Sequence, residues 1–530
     1  MTPTHDRPRL SRRQILALMA GLMTALLLAA LDQTKVGVAL PTIVGQLGDI
    51  EHYSWVVTAY LLAATASIPL YGKISDLIGR RPVFLFAVGT FLVGSALAGA
   101  SQTMVHLIIA RGVQGIGAGG LMTLVFVIIS DAVSPRERGR YQGLFGAVFG
   151  LASIAGPLVG GFFAEYDWRW IFYINIPLGL LALVVCSRVI RMIPHQRREH
   201  VLDWRGAVLL VGGVTCLLLA LSWGGGEYAW SSSVIVWLLV ASGVLAAMFL
   251  WQERRTPEPI LPLSLFRRAT FARANLAIFV LGMSMFGTII FIPLYLQIVQ
   301  GASPTRSGLL MLPLMLAIIV TSTTTGRAMS RIGRYKWFPV IGTATLFAGL
   351  LLFTQLHRES QMPVVAVYMV VIGVGLGLCM QSLILAVQNA VDLRDLGAGT
   401  SAATFFRTLG GSFGVAALGA VLTARLTSAL DARLPDAVAQ LPPEQAGQYA
   451  DVAETLTVDD PASVLALPEP LRLAVQESLV SALQQVFLVA AAVVLIALVA
   501  TLSMPDHRLR GPDDPADAGA AAPVGSTTTR

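Results

Sequence analysis

The residues best suited to chemistry in this sequence are charged side chains inside long apolar runs. Asp32 lies in an apolar run near 14–40, and Arg111 lies in another near 104–130. A charge at membrane depth is costly and indicates a functional site, often one that handles ions or protons. Asp32 is therefore predicted to bind and release a proton, with Arg111 as its partner. The alternative is an ion pair that only locks two helices together.

Lys35 follows Asp32 by three residues, which is about one helical turn. Side chains at this spacing share a face of a helix and can form an ion pair. A lysine near the end of a membrane helix can instead extend its amine to the interface. The sequence leaves both arrangements open.

Apolar runs of about 20 residues, the length that crosses a bilayer, recur along the chain. Its 530 residues are 55% hydrophobic and 13% charged, roughly half the charged fraction of a soluble domain. Backbone groups in lipid must be satisfied internally, so these runs should be helices. The sequence predicts an all-α membrane protein with fourteen transmembrane helices, near 14–40, 53–72, 82–101, 104–130, 141–164, 170–190, 205–223, 231–251, 273–299, 306–328, 337–356, 362–386, 398–424 and 479–503.

The loops differ in charge according to their position. Basic residues concentrate after the even-numbered helices, whereas odd-numbered loops carry acids such as Asp49, Glu51 and Glu165. By the positive-inside rule both termini are cytoplasmic, in a multi-pass protein of the cell membrane. The net charge of +7 is explained by these loops, so no nucleic-acid partner is expected.

Two turns indicate an internal repeat. Residues 72–80 and 326–334 both read Gly-x6-Gly-Arg. If they correspond, two six-helix bundles flank two inserted helices, and related halves around a central site are common in secondary transporters. The predicted regions are a basic cytoplasmic tail at 1–13, an N-terminal bundle at 14–193, inserted helices at 201–255, a C-terminal bundle at 269–504 with a long extracytoplasmic loop at 425–477, and a disordered cytoplasmic tail at 505–530.

Two glycine motifs accompany the charges. The first is called the latch motif here. Its glycines allow two helices to be joined by a tight turn, and its acids and arginines can pair across helices. It comprises Gly72, Asp76, Gly79, Arg80, Arg81 and Asp131. A plain basic turn is its alternative reading. The second is Gly156-Pro157-Leu-Val-Gly160-Gly161 in the fifth helix, where proline breaks a backbone hydrogen bond and glycine permits close packing. Simple helix packing is the alternative there.

These motifs, with Leu31-Asp32-Gln33-Thr34, Arg111-Gly-Val-Gln114-Gly115 and Arg407-Thr-Leu-Gly410-Gly411, resemble the major facilitator superfamily. The likeness is to its fourteen-helix drug:proton antiporter family and covers nearly the whole chain. It implies a cytoplasmic latch at the latch motif and an antiporter signature in the fifth helix. It also implies a cavity between helices 1, 4, 9 and 12, with candidate lining residues Gln33, Tyr60, Gln114, Met283, Phe286, Phe291, Tyr295, Gln381 and Gln388. Leu77 and Lys35 depart from the family pattern.

The sequence thus predicts a proton-coupled antiporter that exports small amphiphilic or lipophilic compounds by alternating access, with antibiotic resistance as a consequence. Neither a nucleotide-binding loop nor a metal-ligand or catalytic motif is recognisable, so no enzyme activity, cofactor or metal is expected. The predicted protein is a monomer whose partners are its small-molecule substrate, protons and the lipid bilayer. A lipid or siderophore transporter of the same fold is the nearest alternative. A membrane-embedded sensor or enzyme is a more distant one.

Overall fold

The computed structural model describes residues 11–47, 55–133, 135–191, 203–225, 227–392, 395–442 and 464–509. These residues are almost entirely helical, and the described chain contains only two isolated β-bridges and no strand. The predicted all-α class is confirmed.

The long helices, numbered in chain order, resemble the predicted series. They are α1 Arg12–Leu47, α2 Trp55–Ile78, α3 Arg80–Gly99, α4 Met104–Ala132, α5 Pro135–Tyr166, α6 Asn175–Ile190, α7 Trp204–Trp223, α8 Ser233–Glu253, α9 Ala269–Leu294, α10 Leu312–Ile332, α11 Trp337–Phe353, α12 Met362–Ala390, α13 Leu396–Ala439 and α14 Glu469–Leu502. Short helical segments precede α6 at Trp170–Tyr173 and α10 at Pro304–Leu310, and a π-helical turn, Tyr295–Val299, extends α9.

Within the described residues, twelve helical stretches are long and apolar enough to cross a membrane. The remaining two are α11, which has only 17 residues, and α5, which is rich in glycine and charged at its start. The multi-pass character is therefore clear. The count of fourteen spans stays a prediction.

The helices form two bundles with a pair of helices between them in the chain. Helices α1–α6 pack around one apolar core, and α9–α14 pack around a second, larger core. Helices α7 and α8 pair with each other and lie against the bundles mainly through α2.

The halves meet most closely at one end of the molecule, called the basic end here. At this end α2, α4 and α10 finish and α5, α11 and α13 begin. Helix α2 packs on α13, and α5 packs on α10. A side chain on Gly72 would lie 2.6 Å from the carbonyl oxygen of Gly397, so this contact between the halves requires glycine.

The predicted loop at 425–477 is partly helical. Helix α13 continues to Ala439 and α14 begins at Glu469, whereas residues 443–463 lie outside the described residues. Leu430, Leu434 and Ala437 recur about one turn apart and are buried against the C-terminal core. This apolar stripe explains why the helix continues beyond 424 despite its charged outer face.

The first residues of the predicted disordered tail are docked on the basic end. The Leu509 amide donates to the Gly333 carbonyl oxygen at 2.9 Å, and Arg334 pairs with Asp506 at 3.1 Å. The prediction of disorder is therefore wrong for 505–509, because these backbone and charged groups find partners. The remainder of the tail and residues 1–10 lie outside the described residues.

Candidate functional site

A buried ion-pair cluster occupies the N-terminal bundle. Asp32 on α1 is fully buried, and Arg111 on α4 donates to its Oδ2 atom. Lys35 Nζ lies 3.4 Å from Asp32 Oδ1, and its side chain is only 1% exposed. Lys35 therefore points into the bundle and not to the interface. The structure brings together all three residues that the sequence singled out for proton coupling.

Neutral polar residues complete the hydrogen bonds of this cluster. Gln114 Nε2 and Asn175 Nδ2 each donate to Asp32 Oδ1 at 3.0 Å. Asn175 Oδ1 accepts from Lys35 Nζ at 2.6 Å, so one amide binds both charges. Ser95 Oγ accepts from both amides, at 3.1 and 2.7 Å. We call these residues, Asp32, Lys35, Ser95, Arg111, Gln114 and Asn175, the polar cluster.

Arg111 is also held by aromatic and backbone groups. Its guanidinium carbon lies 4.1 Å from the centroid of the Tyr60 ring, and its Nε donates to the Val56 carbonyl oxygen at 3.2 Å. The Tyr60 hydroxyl donates to the Ala29 carbonyl oxygen. Tyr60 and Gln114, both predicted to line a cavity, instead belong to the surroundings of Arg111.

The fifth-helix motif packs directly behind the polar cluster. Helix α5 contains the predicted Gly156, Pro157, Gly160 and Gly161. A side chain at Gly156 would collide with Thr34, and one at Gly160 would collide with the backbone of Lys35, whereas Gly161 faces open space. Two of these glycines thus let α5 touch α1 at the residues that carry the charges.

The latch motif forms a chain of charges at the basic end. Arg80 Nη1 lies 2.5 Å from Asp76 Oδ1, and Arg80 Nε lies 2.7 Å from Asp131 Oδ2. Asp76 Oδ2 accepts from the Ala398 amide at 3.0 Å, in the first turn of α13. A helix N-terminus favours a negative charge, so Asp76 joins the two halves electrostatically. Gly79, at φ 102°, makes the turn between α2 and α3.

Arg81 has a different role from its neighbour. Its Nε donates to the Ser187 carbonyl oxygen at 3.1 Å, within the N-terminal bundle. Lys73, in the last turns of α2, instead pairs with Glu258 at 2.6 Å, in the segment that leads from α8 to α9. The latch motif therefore binds the C-terminal half through Asp76, and the neighbouring Lys73 binds the connecting segment.

A narrow cavity lies within the C-terminal half, beside the contact that Arg407 makes with the N-terminal half. Its volume is about 20 Å³, room for roughly one water molecule. The lining is mostly apolar and comes largely from α9, α12 and α13; it includes Leu281, Met285, Cys379, Met380, Leu383 and Arg407. Arg407 is the residue whose importance sequence reasoning missed. Its signal was present, since it is a charge in an apolar run.

None of the nine residues predicted to line a cavity lines this one. Tyr295, for example, donates to the His357 carbonyl oxygen, and Gln388 bonds Thr400. Gln381 is fully buried, and Met283 packs against Gly414. A cavity of about 20 Å³ is too small to hold a substrate, so the substrate-cavity assignment stays a prediction for Gln33, Tyr60, Gln114, Met283, Phe286, Phe291, Tyr295, Gln381 and Gln388.

Two helical halves in contact, with a buried ion-pair cluster in one of them, are typical of a multi-pass membrane transporter. The family model described as Major Facilitator Superfamily matches residues 22–415, and the chain belongs to that superfamily. The predicted family, fold and non-enzymatic class are confirmed.

Similar proteins support this assignment. The multidrug transporter protein MdtP of Bacillus subtilis is 39% identical over 84% of this chain and 82% of its own. Multidrug resistance protein 3 of Bacillus subtilis is 33% identical over 92% of this chain and 95% of its own. Among solved structures, the proton:xylose symporter XylE has a TM-score of 0.57 at 12% identity, covering 94% of this chain and 98% of that one.

Proposed function

We propose that this transporter is a proton-coupled antiporter that exports small amphiphilic or lipophilic compounds by alternating access. The observation that carries the proposal is the polar cluster, in which one fully buried carboxylate is held between two buried cations. The names of the two bacterial relatives, a multidrug transporter and a multidrug resistance protein, support the substrate class.

The polar cluster links proton binding to movement. A proton on Asp32 would remove the only negative charge in the polar cluster and leave Lys35 and Arg111 buried without it. Buried charges that lose their partner are destabilising by about 3–5 kcal/mol. The protonated form therefore favours a rearranged bundle, and α5, packed on α1 through Gly156 and Gly160, moves with it.

The contacts at the basic end supply the gate. Basic loops are retained on the cytoplasmic side, so we assign the basic end and both termini to the cytoplasm of the cell membrane. The bonds from Asp76 to α13 then close the cytoplasmic side. Export requires them to open for loading and to re-form for release, with the protein acting as a monomer.

The proton gradient suffices for concentrative export. One charge moving through 100 mV releases about 2.3 kcal/mol. One pH unit adds about 1.4 kcal/mol. Together they support a substrate gradient of several hundredfold for exchange against one proton.

The test uses purified protein in liposomes with a trapped pH-sensitive dye. Ethidium, a neutral aromatic amide and a fluorescent phospholipid analogue are offered in turn under an imposed pH gradient. We expect gradient-driven accumulation of the small compounds with matching proton movement. Accumulation without proton movement would contradict antiport. Movement of the phospholipid alone would favour the lipid-transporter alternative.

A further inference from the structure

Arg407 is a charged side chain in the first third of α13. It lies eleven residues after Leu396, where α13 begins, or about 16 Å along the helix at 1.5 Å per residue. That is about half of a hydrocarbon core roughly 30 Å thick. The cost of a charge at this depth indicates a function.

No carboxylate of the described residues forms an ion pair with Arg407, and none of its described neighbours forms a hydrogen bond with its guanidinium. Its contacts are aromatic. The guanidinium carbon lies 5.4 Å from the ring centroid of Phe149 on α5 and 6.0 Å from that of Phe126 on α4. A cation–π contact compensates only part of the lost solvation.

The carboxylate of the polar cluster is already engaged. Asp32 accepts hydrogen bonds from Arg111, Gln114 and Asn175 and pairs with Lys35. With Asp32 ionised, the polar cluster has one negative and two positive charges. Arg407 adds a further positive charge from the other half. The polar cluster and Arg407 together therefore carry an excess of positive charge, and no described carboxylate is left to balance Arg407.

The position of Arg407 makes it accessible to a ligand. It lines the narrow cavity of the C-terminal half, and its aromatic contacts belong to the opposite half. Met285 and Met380 are also in the lining, and methionine adapts to ligands of varied shape. At about 20 Å³ the cavity is closed, so a ligand enters only when the halves separate.

We propose that Arg407 binds the carboxylate of amphiphilic, aromatic organic acids, which form a substrate class of this transporter. The inference rests on the proposed function for the transport step. A guanidinium binds a carboxylate through two parallel hydrogen bonds. Phe126, Phe149 and the methionines then surround the aromatic body of the acid.

The experiment measures binding, which needs no gradient. The purified full chain in lipid nanodiscs is titrated at pH 7.5 with tritiated 1-naphthylacetate and with 1-naphthylacetamide, which has the same ring and no charge. We expect wild type to bind the acid at least about fivefold more tightly. Arg407→Gln should weaken binding of the acid about tenfold, the scale of a charged hydrogen bond, and leave the amide within about twofold.

Two further variants separate charge at the site from charge in general. Arg407→Lys keeps the cation and should retain a preference for the acid. Arg425→Gln removes an exposed arginine from the same helix, with the same change in net charge, and should bind both compounds like wild type.

Equal affinity of wild type for acid and amide would overturn the proposal, and so would a similar loss of both in Arg407→Gln. The wild-type comparison decides even if Arg407→Gln fails to fold. Acid-selective binding without gradient-driven export would refute the proposed function while supporting this site. Gradient-driven ethidium export without a binding preference for the acid would support the proposed function and refute the acid-binding site.

Discussion

At the residue scale, the polar cluster assigns proton binding and the control of proton binding to different side chains. Asp32 carries the titratable oxygen atoms, while Arg111, Lys35, Gln114 and Asn175 determine when a proton can be accommodated. Each of these partners has its own hydrogen bond or ion pair to the carboxylate. Proton release and side-chain geometry are consequently linked through direct contacts.

Asp32→Asn should abolish proton coupling, because an amide cannot take up a proton. We expect pH-driven uptake of ethidium into proteoliposomes to fall at least about tenfold, while ethidium exchange without a gradient continues. Two unpaired cations would also destabilise the fold, by about 3–5 kcal/mol. The double variant Asp32→Asn, Lys35→Met removes one of them and serves as the folding control. Wild-type pH-driven uptake in the folded double variant would exclude Asp32 from coupling.

Lys35→Met should change the preference for substrate charge. Methionine has a similar length, but it removes one positive charge 3.4 Å from Asp32. At an effective dielectric constant of about 20, a unit charge at such distances contributes a few kcal/mol. Ethidium uptake should therefore rise several-fold, whereas uptake of the neutral 1-naphthylacetamide stays within about twofold. An equal rise for both compounds would show a change in turnover, not in charge preference.

At the scale of the helices, glycine and charge act at the same contacts. Gly72 allows α2 to reach α13, and Asp76, one turn further, accepts from the Ala398 amide. The close approach of the two helices brings the N-terminus of α13 within reach of Asp76, and the Asp76 carboxylate then stabilises this contact. The two parts of the latch motif therefore depend on each other.

Asp76→Asn should slow transport with little change in substrate affinity. The substitution keeps the shape but removes a charge at a helix N-terminus, worth about 0.3–2 kcal/mol, and its pair with Arg80. Turnover of ethidium should fall several-fold. Arg81→Gln is the matched control, since Arg81 bonds within one half, to Ser187. A collapse of affinity with normal turnover per bound substrate would show that the motif belongs to the binding site.

At the scale of the whole molecule, a buried cysteine in the cavity beside the contact between the halves can report on their separation. Cys379 is fully buried and lines the same narrow cavity as Arg407, whereas Cys186 is fully buried in the N-terminal bundle near Gly21. The partly exposed Cys216 can be replaced by serine. The chain therefore contains a reporter and an internal control.

N-ethylmaleimide should react slowly with Cys379 in the closed form and several-fold faster in Asp76→Asn, because the variant weakens the contact between the halves. Cys186 should stay unmodified in both. Mass spectrometry of the modified peptides gives the two rates. Equal labelling of Cys379 in both proteins would mean that Asp76 does not hold the halves together, and a parallel rise at Cys186 would indicate general unfolding.

The sequence by itself determined the helical class, the order of the helices and the charges that matter. Apolar runs of about 20 residues satisfy their backbone hydrogen bonds in a bilayer by forming α-helices. Charged residues such as Asp32 and Arg111 stand out in these runs because burying a charge in a membrane is costly. The latch motif was recognisable in the sequence for a similar reason, because its glycines and charged residues do not favour an isolated membrane helix. These features depend on local composition and spacing.

Tertiary structure alone decided which way the side chains point. Lys35 could have reached the interface, and the choice was made by Asn175 Oδ1, 140 residues away in the chain. The lining of the cavity depends on helix rotation, which apolar runs that are hydrophobic on every side do not encode. Arg407 became a candidate site only in the folded structure, where its guanidinium faces Phe126 and Phe149. Whether a charged side chain has a partner depends on its neighbours in three dimensions, which the sequence does not give.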